Sequence, residues 1–148
     1  MKQKIGLILT LGIAVVAIGA AAAVTHNIVQ SYQTASGSLT GTTVVTDTTE
    51  LNTDVTLPAG ATNQQVNLAI TRSQIKSLCL YATAQMTVLV NSTGAPANTF
   101  TLTAAAPQIG IGTGALSLAA DVTSLWLTCT NTNGCVFSLR SVLHTTVP

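Results

Sequence analysis

Residues Val66 to Ile70 read VNLAI, and residues Thr99 to Thr103 read TFTLT. In the first run Val66, Leu68 and Ile70 alternate with Asn67 and Ala69; in the second Phe100 and Leu102 alternate with three threonines. Successive side chains of an extended chain point to opposite faces, so a period of two puts the apolar set on a core and the hydroxyls in solvent. The same pattern recurs to either side. Strands are expected at Ile75 to Ala82, Met86 to Val90, Leu116 to Ala119, Leu125 to Cys129 and Val136 to Leu143. Turn residues separate them at Pro58 to Gly60, Asn91 to Gly94, Gly110 to Gly114 and Asn131 to Gly134. No amphipathic helix able to connect parallel strands occurs after Val24. Short strands at this spacing predict an all-β body over residues 44–148, an antiparallel β-sandwich or jelly roll.

The segment ahead of the body differs in composition. Lys2 and Lys4 are followed by an uncharged run from Ile5 to Val24, with Gly12 and Gly19 among its small residues. As a helix rising 1.5 Å per residue it would be about 30 Å long, enough to span a bilayer. The same run fits a secretory signal, with a basic start, an apolar middle and small residues at Ala20 to Ala23. One N-terminal hydrophobic helix over residues 1–24 is therefore expected, either retained as an anchor or cleaved. In both cases the lysines hold the N-terminus in the cytoplasm and the remainder of the chain is exported. Residues 25–43, with Gly37 and Gly41 and no clear period, read as a stalk or linker.

Charge is scarce along the whole chain. Only 6% of the 148 residues are charged and the formal net charge is +1, which argues against nucleic-acid binding through basic stripes. Asp47, Glu50, Asn52 and Asp54 cluster, but not at the spacing of a calcium loop, and read as a solvated loop. Gly110, Gly112 and Gly114 lack the Lys-Ser/Thr pair and the adjoining helix of a phosphate loop. His26 in the stalk and His144 near the end have no nucleophile and carboxylate set around them, so no enzyme is predicted, and no cofactor or metal.

Cys129 and Cys135 bracket a turn containing Asn133-Gly134 and are expected to face each other across a hairpin in a disulfide, which export would permit. Cys79 is left over, an inert thiol in this reading. Trp126 alternates with Leu125 and Leu127 and so points away from them, a candidate anchor for a subunit interface.

The run VNLAITRSQIKSLCLYATAQMTVLVNSTGAPANTFTLTAAAP (residues 66–107), then DVTSLWLT (121–128) and VFSLRSVLHTTVP (136–148), resembles small β-sandwich virion structural proteins of bacteriophages. The likeness lies in strand patterns and turns. It implies a structural virion component, phage capsid-associated or a membrane-anchored coat protein, in contact with copies of itself or other virion proteins. The alternatives open on sequence are an exported cell-envelope subunit of pilus or matrix type, and a membrane-tethered ligand-binding module.

Overall fold

The computed structural model describes residues 23–35, 37–112 and 114–144. The expected membrane-segment residues Ile5, Gly12 and Gly19 lie outside them. Among the described residues no helix is long and apolar enough to cross a membrane.

Eight strands build two four-stranded antiparallel sheets. They are β3 (Thr49–Leu57), β4 (Gln64–Ile70), β5 (Ile75–Ala82), β6 (Met86–Val90), β7 (Thr99–Leu102), β8 (Gln108–Ile111), β9 (Val122–Cys129) and β10 (Cys135–Leu143). One sheet has the order β3-β10-β5-β8 and the other β4-β9-β6-β7. The pairs β6–β7, β5–β8, β4–β9 and β3–β10 nest one outside the next, as if one long hairpin had been rolled up. That nesting is the double Greek key of a jelly roll.

The core lies between the sheets, where Leu57, Leu80, Met86, Val88, Leu102, Leu127, Phe137 and Leu139 belong to one contiguous buried cluster. The expected alternation holds. Ile70 and Leu102 are buried, Val66, Leu68 and Phe100 pack against the cluster from its margin, and Asn67, Ala69, Thr99, Thr101 and Thr103 are exposed.

Four expectations need correction. Leu116 to Ala119 is not a strand: Leu116 and Ser117 take left-handed φ values of 55° and 51°, in a 3-10 turn over Ala115–Ser117. The strand is β8 just upstream, and it contains Gly110. A Cβ there would lie 2.5 Å from the Leu116 nitrogen, so glycine lets the turn fold back onto the strand.

The acidic cluster is not a loop either. Glu50, Asn52 and Asp54 are alternate exposed positions of β3, opposed by half-buried Leu51, Thr53 and Val55. Nor do the two cysteines face across a hairpin. Cys129 ends β9 in one sheet and Cys135 begins β10 in the other, with Cα atoms 6.4 Å apart, so their disulfide staples the two sheets together. Gly134 in the turn between them has φ +74°, and a Cβ there would meet the Leu57 carbonyl oxygen at 2.5 Å.

The largest departure is at the stalk. Strands β1 (Val24–Thr34) and β2 (Gly37–Asp47) form a two-stranded antiparallel ribbon, in register from Val24↔Asp47 to Thr34↔Gly37. Val24, expected to end the hydrophobic helix, is instead the first residue of β1. At the base of the ribbon Val24, His26 and Ile28 are half-buried while Thr25, Asn27 and Val29 are exposed. This short alternation fixes which face meets the body. Residues 44–47, placed with the body on sequence, are the last residues of β2, and β3 begins at Thr49.

Candidate functional site

The base of the ribbon lies over the outer face of the β3-β10-β5-β8 sheet. Val142 is fully buried and Val45 nearly so, yet neither belongs to the main core. Val45 belongs to β2 and Val142 to β10, two elements in contact where the ribbon meets the sheet. Beside this contact a groove of about 570 Å³ runs between Thr25 to Val29 of the ribbon and Ser77, Leu78, Cys79, Ile109 and Arg140 of the sheet.

Three carboxylates with close side-chain partners rim this junction. His26 Nε2 lies 2.8 Å from Glu50 Oε1, and His144 Nδ1 lies 2.8 Å from Asp47 Oδ1. The Arg140 guanidinium donates to both oxygens of Asp54, at 2.9 and 2.8 Å. His144 does not trail off the end of the fold, because its N–H also donates to the Gln74 carbonyl at 2.7 Å. Hydrogen bonds from His26 and then Asn52 hold the Glu50 carboxyl below its ordinary range, and Arg140 followed by Ser138 does the same for Asp54. At Asp47 burial pushes upward, but the bonds from His144 and the Thr48 N–H outweigh it and the net shift is downward.

Burial pushes the Cys79 thiol up, and nearby Arg140 only partly offsets this, which disfavours the thiolate. Arg140 is occupied by Asp54. The Ser77 hydroxyl is buried without a hydrogen-bond partner among the described residues. Among the described residues no cluster of His, Cys, Asp and Glu could hold a metal ion.

The outer face of the β4-β9-β6-β7 sheet is different. Strands β4, β6, β7 and β9 contain no charged residue at all. Trp126 stands near the middle of this face, beside Gln65 of β4 and Leu89 of β6 in the register. It points away from Leu125 and Leu127, which are in the core, as its place in the sequence predicts. The residue is half-buried and its Nε1 is sealed from solvent with no acceptor among the described residues. What the indole offers at the surface is therefore carbon.

Of the residues singled out in the sequence, Cys129 and Cys135 are joined and Trp126 lies on the outer face of its sheet, while the junction was missed. The cue was present in Val24-Thr25-His26-Asn27-Ile28, an alternation too short to stand out from the threonine-rich segment around it. No family model, curated protein or solved structure matches the chain.

Proposed function

We propose that the chain is a non-enzymatic structural subunit, a virion component that assembles through its β-domain, with the apolar segment ahead of β1 lodged in a membrane or against neighbouring subunits. The observation that carries this reading is the segregation of charge. The charged side chains of the two sheets, Glu50, Asp54, Lys76 and Arg140, all lie on strands of the β3-β10-β5-β8 sheet. The second sheet and the outer ribbon are covered by Thr, Ser, Gln, Asn and apolar groups, which can pack against copies of themselves without burying ions. The jelly roll supports the reading by analogy alone, since capsid and lectin domains both use it.

An exported envelope subunit of pilus or matrix type has the same surface requirements and is the second reading. A ligand-binding module would have to work with the groove at the ribbon junction, whose Arg140 and His26 are already paired. Mass spectrometry of purified particles and of membranes from the producing cells separates these. Recovery of the chain in particles at subunit stoichiometry supports the virion reading. Recovery only in the cell envelope overturns it in favour of the second. The same spectra report the N-terminal residue, hence whether the hydrophobic segment is retained.

A further inference from the structure

Besides the outward side of the ribbon base, where Val29 and Val44 are exposed, two uncharged surfaces are left uncovered among the described residues. The first is the outer part of the ribbon. The five pairs from Gln30↔Gly41 to Thr34↔Gly37 extend about 16 Å beyond the groove at roughly 3.3 Å per residue. Gln30, Leu39 and Gly41 continue the face that the body covers nearer the base, yet all three are exposed, Leu39 by 75%. An isolated two-stranded ribbon is marginal in water. From Ile28 to Thr46 it has no charged residue, and Gln30, Ser31, Leu39, Thr40 and Gly41 line a shallow concavity on it. The second surface is the outer face of the β4-β9-β6-β7 sheet around Trp126.

We infer that the ribbon of one copy lies across the Trp126 face of the next, with Leu39 near Trp126. Three observations select a second copy as the occupant. Each sheet has one outward face, and the ribbon already covers that of β3-β10-β5-β8 at its base, so among the described residues the bare sheet face of the body is the other one. The outer pairs of the ribbon lie beyond the groove, and Gln30, Leu39 and Gly41, on the face that turns to the body nearer the base, are exposed. The two surfaces match in charge, both being neutral, whereas a partner rich in acidic or basic groups would lose the hydration of those groups against either of them. The contact joins two different patches, so it is heterologous and propagates head to tail into a ring or a chain of subunits. This inference rests on the assembly reading and specifies which surfaces carry it.

Cysteine cross-linking of the full chain in detergent tests it. In a Cys79→Ser background, Leu39→Cys and Gln65→Cys are purified separately and then mixed under mild oxidation. Both positions are exposed, so neither substitution threatens the fold. Disulfide-linked dimers in the mixture, at least tenfold more abundant than in either variant alone, are the expected result. Linkage of Gln65→Cys to itself would overturn the inference, showing a two-fold contact between like faces. Multimers in sedimentation without any linkage would overturn the ribbon contact and leave the assembly reading intact. A monomer at every concentration would overturn both.

Discussion

Leu102 and Thr101 are neighbours on β7 with opposite fates, since Leu102 is fully buried between the sheets and Thr101 is exposed. Truncating Leu102 to Ala should cost about 2–5 kcal/mol, through lost transfer free energy and the cavity left behind. Thr101→Lys should stay within about 0.5 kcal/mol. Thermal unfolding of the two variants checks the face assignment, and equal losses would contradict it. At the ribbon junction the sign of the pH dependence comes from the carboxylates. Glu50, Asp54 and Asp47 all titrate lower in the folded chain than in the unfolded one. Their contribution is complete above the ordinary values, 3.8 for Asp and 4.5 for Glu, and is lost as pH falls through the folded values. The midpoint of thermal unfolding should therefore drop as pH falls below about 4.5, and Asp54→Asn should reduce that drop. A midpoint that rises on acidification would contradict the pairings.

At the scale of elements, β4, β5, β6 and β7 were legible because one face of each is in the core and the hydropathy alternates accordingly. Where the sequence misled, another force had set the local structure. The Gly110 strand looks like a loop until the backbone of Leu116 is seen folded against it. The acids of β3 suggest a loop because their partners, His26 and Arg140, come from distant parts of the chain. The ribbon has little core to face, so hydropathy leaves only a faint trace of it. Its base meets the body where β2, with Val45, contacts β10, with Val142. Val45→Asp should free the ribbon while sparing the jelly roll, which hydrogen exchange would report as faster amide exchange across Val24–Asp47 with unchanged protection in β5 and β9. Loss of protection throughout would mean that the ribbon is integral to the body. The Cys129–Cys135 bridge joins sheets rather than strands, and replacing both cysteines by Ala should cost about 2 kcal/mol by the loop-closure argument, measurable by denaturant unfolding.

At the scale of the whole molecule, the fold divides its charge. Among the described residues, carboxylates paired with Arg140 and with the two histidines gather where the ribbon meets its own body, while the outer ribbon and the strands of the β4-β9-β6-β7 sheet carry no charge. Association driven by such surfaces depends on buried apolar area and hydrogen bonds and should respond little to ionic strength, because there are few exposed charges to screen. Sedimentation velocity of the full chain in detergent, at about 50 mM and about 1 M salt, spanning the range over which the Debye length shrinks severalfold, is the most direct test. Assembly through neutral surfaces predicts multimers of the same size at both salt concentrations, reduced by Leu39→Ser and Trp126→Ala in variants that keep their far-ultraviolet circular dichroism. A folded monomer at every concentration, or multimers that dissolve in high salt, would contradict it.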